Sequence, residues 1–143
     1  MSTENNYLVQ PHLNFDGRCE EAIEFYQKAI GAEVAMMFRF KDSPDKSMCT
    51  PTSPDKIMHA RIRIGETLIQ VSDGRCQGKE TFSGFALSIT VHSEAEVERL
   101  CNGLATGGQV VMPPARTFFS ERFGMVTDKF GVSWMILVKP ASM

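Results

Sequence analysis

The alternation of apolar and polar residues divides the chain into short elements that come in the same order twice. Residues 7–15 predict a strand, with Val9, Leu13 and Phe15 opposite Gln10, His12 and Asn14. Pro11 has no N–H to give a ladder, which marks an edge or a bulge there. After Asp16-Gly17 the period becomes helical. Ala22, Phe25, Tyr26 and Ala29 fall at i, i+3, i+4 and i+7 of a helix over Cys19–Ile30. Glu20 and Glu21 lie in its first turn, Lys28 near its end, and Gly31 stops it. Residues 34–40 predict a second strand. A third, Ile57–Ile64, sets Met58, Ala60, Ile62 and Ile64 against His59, Arg61 and Arg63, and Gly65-Glu66 turns into a fourth, Thr67–Ser72. Residues 41–56, with three prolines among Ser, Thr and Asp, read as a long loop, and 73–82 as a connector.

The order then starts again. Residues 85–91 predict a strand with Phe85, Leu87, Ile89 and Val91 on one face and Ala86, Ser88 and Thr90 on the other. Ser93 and Glu96 form a capping box ahead of a helix whose apolar face is Val97, Leu100, Cys101 and Leu104. Gly107-Gly108 stops it, 109–112 form a strand, and Pro113-Pro114 opens a loop into a hairpin over 117–138. That hairpin turns at 128–131 and carries Phe118, Phe119, Phe123 and Trp134. The apolar positions of the two helices match at one constant offset, and Gly31-Ala32-Glu33-Val34 stands against Gly107-Gly108-Gln109-Val110. The pattern therefore predicts an α+β fold of two βαβββ modules in tandem, about 7–73 and 83–138, within a single domain over 1–143. One helix per sheet leaves two sheet faces bare, and these are expected to line a central cleft.

Composition narrows the function classes. The formal charge is −2, and no basic stretch is long enough to follow phosphates, so no nucleic-acid partner is expected. No apolar run approaches the ~20 residues of a membrane span. The N-terminus lacks the basic-then-apolar order of a signal peptide, so a cytoplasmic protein without a membrane partner is expected. Cys19, Cys49, Cys76 and Cys101 form no C-x-x-C pair, which argues against a zinc ribbon or a thioredoxin-type redox pair. The nine methionines suggest an adaptable apolar interior or pocket lining.

Several local motifs carry a resemblance. They are Pro11-x-Leu13-x-Phe15 with Gly17, Glu21-Ala22-x-x-Phe25-Tyr26 leading to Gly31-Ala32-Glu33, Met58-His59-Ala60 with Ile64-Gly65, and Ser72-Asp73. Gly108-x-Val110-x-Met112-Pro113 and the closing FGMVTDKFGVSWMI complete the set. From about residue 7 to 138 the chain resembles the PhnB-like proteins of the vicinal oxygen chelate superfamily, which includes glyoxalases, bleomycin-resistance proteins and extradiol dioxygenases. One departure is Phe119, where the family usually has Trp. The resemblance implies a glyoxalase/bleomycin-resistance-like fold, a small-molecule ligand and a homodimer.

Metal-using members of that superfamily place His, Gln or Glu ligands in the first and last strands of each module. By strand position the places to check are Gln10, Gln70, Ala86 and Met135, and a shift of one or two residues puts His12 in place of Gln10. Ala86 offers no donor and Met135 only a thioether, so the usual metal set looks dismantled and no cofactor is assigned. If a divalent metal were present, Gln10, His12, His59 and Gln70 are its candidate ligands. His59 is the candidate catalytic base. Gln10, His12, Arg61, Gln70, Phe119, Glu121 and Met135 are the candidate ligand-binding residues, Arg61 for an anionic group. Polar residues on a solvent-facing strand account for His12 and Arg61 without any ligand, and His92 reads as a surface residue. Asp128 reads as an Asx-type cap of the hairpin turn, Trp134 as core and Met135 as ligand wall. Three functions compete: a small anionic or carbonyl-containing molecule bound in the cleft with its activity unassigned, a glyoxalase, lyase or isomerase reaction that is metal-dependent or runs metal-free through His59, and the demethylubiquinone methyltransferase that family labels sometimes name. The sequence holds no strand, glycine-rich turn and helix of the kind that grips a nucleotide-like cofactor.

Overall fold

A computed structural model describes residues 6–45, 47, 53–74 and 80–140. Cys49, Cys76, the middle of the expected long loop and part of the connector lie outside these residues. The elements are β1 (His12–Asn14), α1 (Cys19–Ile30), β2 (Glu33–Arg39), β3 (Ile57–Ile64), β4 (Thr67–Ser72), β5 (Leu87–Val91), α2 (Glu94–Ala105), β6 (Gln109–Ala115), β7 (Phe123–Thr127) and β8 (Ser133–Val138). They build two four-stranded sheets of one topology, ordered β1-β4-β3-β2 and β5-β8-β7-β6. In each, the first strand runs parallel to the last and the others are antiparallel. The α+β tandem repeat expected from the sequence is the fold of the chain.

The chain divides into two compact units, Met1–Ile23 with Ala32–Lys79 and Glu24–Gly31 with Glu80–Met143. In the first, Leu13 and Phe15 of β1, Ala60 and Ile62 of β3 and Ile69 and Val71 of β4 are buried, as are Cys19, Ala22 and Ile23 at the start of α1. The first N–H of that helix is capped from far along the chain: Asp73, past the end of β4, accepts a hydrogen bond from Cys19 N at 2.8 Å. The same buried carboxylate accepts another from Ile57 N at 2.8 Å. One side chain thereby fixes the entries of both α1 and β3.

In the second unit α2 lies against β6, β7 and β8, burying Val97, Leu100, Cys101 and Leu104. Ser93 Oγ accepts from Glu96 N at 3.2 Å, the expected cap. The later turns of α1 also belong to this unit. Phe25 meets Phe130 edge-on at 5.7 Å and Tyr26 meets Trp134 at 5.6 Å. Gly103 in α2 lets the helices close up, since a Cβ there would lie 2.7 Å from the Ala29 carbonyl oxygen. Asp128 is the hub. It accepts from Tyr26 Oη at 2.6 Å, Trp134 Nε1 at 2.8 Å, Phe130 N at 2.9 Å and Val132 N at 3.1 Å. The expected Asx cap is present, and two aromatic donors share it. Gly131, at φ 94°, completes the turn in the left-handed region.

Several boundaries differ from the sequence pattern: β2 spans Glu33–Arg39 rather than 34–40, and the first arm of the closing hairpin begins at Phe123 rather than 117. The first strand begins at His12 rather than residue 7, and Tyr7, Leu8 and Val9 are 71–90% exposed. Alternation in that segment had no sheet to answer to. The fifth strand begins at Leu87, leaving Phe85 and Ala86 outside it. The sixth runs through Pro113-Pro114 to Ala115, because it is an edge strand with register shifts where missing N–H groups break no ladder.

Candidate functional site

The first sheet buries one face and leaves the other open, and the polar residues of its strands share the open side. His12 stands beside Gln70, Gln70 beside Arg61, and Arg61 beside Met36. In the next row Asn14 stands beside Ser72, and His59 beside Phe38. Strand parity alone gives this list; the hydrogen bonds connect it. His12 and His59 sit on strands separated by β4, roughly 9.5 Å apart at two strand spacings. Their rings nevertheless stack with centroids 5.7 Å apart and planes 17° from parallel. Each imidazole therefore leans inward over β4.

Two hydrogen-bond chains hold them there. His59 Nε2 lies 2.7 Å from Gln70 Oε1, and Gln70 Nε2 donates to Gln10 Oε1 at 3.3 Å. In this orientation Gln70 is an acceptor, so His59 donates from Nε2. On the other side His12 Nε2 lies 3.0 Å from Ser72 Oγ, whose own proton goes to Asn14 Oδ1. Gly74 N also donates to Ser72 Oγ, at 3.3 Å. Ser72 is buried and Gln70 and His59 half-buried, whereas His12 and Arg61 remain exposed. Partial burial, and after it the neighbouring His59 imidazole, lower the His12 pKa from its ordinary 6.5. No carboxylate takes part in either chain. Arg63 is paired with Glu33 at 3.4 Å, while Arg61 has no ion-pair partner among the described residues.

The structure thus brings Gln10, His12, His59 and Gln70 together and places Arg61 beside Gln70. It does not gather the other candidates with them in this unit. Phe119, Glu121 and Met135 belong to the second unit. Glu121 is exposed there, and Phe119 stacks edge-on with Phe118 and Phe123, both at 5.2 Å. Two strand assignments need correcting. Gln10 precedes β1, so Gln70 is paired with His12 and reaches Gln10 only through its side chain. Ala86 precedes β5, and the residue beside Met135 is Ser88. Trp134 is buried and Met135 lies half-buried on the opposite face of β8.

Ser72 and Asn14 complete the cluster. The strand pattern put Asn14 on the polar face without a role, and Ser72 drew notice only through the Ser72-Asp73 motif. A serine at the end of a strand carries no signal until the partner strand supplies His12.

This donor set does not fit Zn²⁺, Fe²⁺ or Ni²⁺, which ask for imidazole, carboxylate or thiolate. Here both Nε2 atoms are committed to neutral partners and the remaining groups are amides and hydroxyls. Among the described residues no group of three His, Cys, Asp or Glu side chains could hold an ion. Nor do the described cysteines offer a nucleophile: burial pushes the Cys19 thiol far up and that of Cys101 to about 11.

Residues 8–137 match the family model described as 3-demethylubiquinone-9 3-methyltransferase. The chain belongs to this family. Over 138 residues it is 38% identical to Protein YjdN of Escherichia coli (strain K12), covering 91% of this chain and 94% of that protein. Among solved structures it is similar to protein PA1353 from Pseudomonas aeruginosa, at 40% identity and a TM-score of 0.82, with 94% and 98% of the two chains covered. It is also similar to a putative 3-demethylubiquinone-9 3-methyltransferase, PhnB protein, from Bacillus cereus, at 26% identity, a TM-score of 0.77 and coverage of 92% and 99%. The PhnB-like fold extends to glyoxalase-related and bleomycin-resistance proteins at 18% and 16% identity, with TM-scores of 0.65 and 0.62. Those likenesses concern architecture alone. Among the described residues of this PhnB-like chain no helix is long and apolar enough to cross a membrane.

Proposed function

We propose that this PhnB-like protein is a cytoplasmic binder of a small anionic or carbonyl-containing molecule, taken up on the open polar face of the first sheet. The observation that carries this is the stacked His12–His59 pair, anchored by neutral partners, beside Arg61, which has no ion-pair partner among the described residues. A cationic group without a local counter-ion, next to two imidazoles, favours negative charge. Arg61 anchors the anion. His59, held by Gln70, is the group placed to move a proton if the bound molecule reacts. The methyltransferase in the family's description is not part of this proposal. The turn between β1 and α1 has a single glycine, Gly17, and both sheets lack the doubly wound topology that grips nucleotide-like cofactors. A homodimer, implied by the family, belongs to the proposal, and sedimentation equilibrium gives its mass.

The test is a titration of the full chain with inorganic phosphate and with pyruvate, followed by histidine and arginine side-chain NMR. Signals of His12, His59 and Arg61 are expected to shift together, and Arg61→Ala to weaken binding about tenfold, or about 1.4 kcal/mol. Equal affinity in wild type and Arg61→Ala, or shifts confined to other residues, sinks the proposal.

A further inference from the structure

The second sheet carries a different chemistry on its open face, and it does not depend on the proposal above. Met135 of β8 is paired with Met125 of β7, and Met125 with Met112 of β6, so three methionines stand side by side across three adjacent strands. Ser88 of β5 completes the row. Val126 and Trp134, which alternate with them, are buried on the other face. Met125 and Met135 are half-buried and Met112 is 44% exposed, so these side chains are not simply core filling. From this row we propose a thioether site for a soft monovalent cation, Cu(I) or its analogue Ag(I).

The argument is geometric and chemical. Neighbouring strands are about 4.8 Å apart, so the two outer methionines are roughly 9.6 Å apart at the backbone. An unbranched thioether has the reach and the rotational freedom to bring its sulfur over the middle residue from either side. Three sulfurs then converge above Met125, a coordination number that suits a d¹⁰ monovalent ion. Neutral, polarisable thioethers select such ions and offer little to Zn²⁺, Mg²⁺ or Ca²⁺. The row contains no carboxylate that would recruit harder cations. An apolar wall alone would be served equally by leucine or valine. At the corresponding positions of the first sheet only Met36 recurs, so the row is not a by-product of the repeat.

Cysteines bind the same ions, so the experiment uses the full chain with Cys49→Ser and Cys76→Ser, its methionines labelled with ¹³C at the methyl group. Cys19 and Cys101 are buried. Titration with Ag(I) is expected to shift the Met112, Met125 and Met135 methyl signals together, saturating at one ion per chain and leaving Met36 in place. Met125→Leu, which conserves volume, should weaken binding at least tenfold, and Met112→Leu at the exposed end should weaken it several-fold. Zn(II) should move none of the three signals. Equal Ag(I) affinity in both leucine variants, or shifts spread over all nine methionines, overturns the proposal. So does a response that disappears with the two cysteines.

Discussion

At four matching positions the first sheet carries His12, Gln70, Arg61 and Met36, and the second carries Ser88, Met135, Met125 and Met112. The backbones around these rows share strand order and direction. What differs is the side that no helix covers. Covered faces have one physical demand, apolar volume, and both sheets meet it with Val, Ile, Leu and aromatic residues. Open faces are under no such demand, so one became a cationic, hydrogen-bonded surface and the other a thioether surface. In a duplicated fold, the resemblance therefore resides in the core and the chemistry in the residues between core positions.

The support beneath the two faces also differs, and the largest predicted effects lie there. Asp128 serves four buried or part-buried donors in the second unit, two of them side chains. Asp128→Ala is expected to cost about 3 kcal/mol or more, measured by urea unfolding, because Tyr26 and Trp134 both lose their acceptor. A loss below about 1 kcal/mol would mean that the hub does not hold this unit. Asp73 accepts from the backbone N–H groups of Cys19 and Ile57 in the first unit, and Asp73→Ala should cost about 2 kcal/mol, with hydrogen exchange rising first at those two amides. If exchange at those amides stays slow, another group caps the helix.

Exchanging the row residues sharpens the comparison itself. Gln70→Met gives the first sheet the second sheet's residue and removes the acceptor of His59. Phosphate affinity should fall about tenfold while stability changes by about 1 kcal/mol or less, since the site is half-open to water. Unchanged affinity would detach the hydrogen-bond chain from binding. The smallest effect is the pH dependence of the first sheet. Because His12 binds its proton less readily in the folded protein than its ordinary pKa of 6.5, the unfolded state takes up more protons in that range. Stability is then full above pH 6.5 and declines as pH falls through the lowered folded value. The second sheet's open row has no titratable group to match it. His12→Gln should flatten urea-unfolding stability between pH 7 and 5, and an unaltered slope would assign that dependence elsewhere.

Much of this was legible from residue order. The alternation in Ile57–Ile64 placed His59 and Arg61 opposite Ala60 and Ile62, and the helix faces announced the repeat. Asp128 read correctly as a turn cap, because an Asx turn involves only neighbours. The failures share one cause, which is that they involve partners far away in sequence. Residues 7–9 alternate like a strand but have no sheet to bury them. Ala86 and Gln10 fall just outside strands whose ends are set by β8 and β4.

By itself, the sequence determined the periodicities, and through them the element order, the twofold repetition and which side of β1, β3, β5 and β8 faces the core. Those properties come from interactions a few residues apart, where spacing translates directly into direction. Only the tertiary structure decided that His12 and His59 meet over β4, that Ser72 and Gln70 anchor them, and that three methionines line up across the second sheet. Strand pairing joins positions separated by tens of residues, and a one-residue change in its register would put different side chains next to each other.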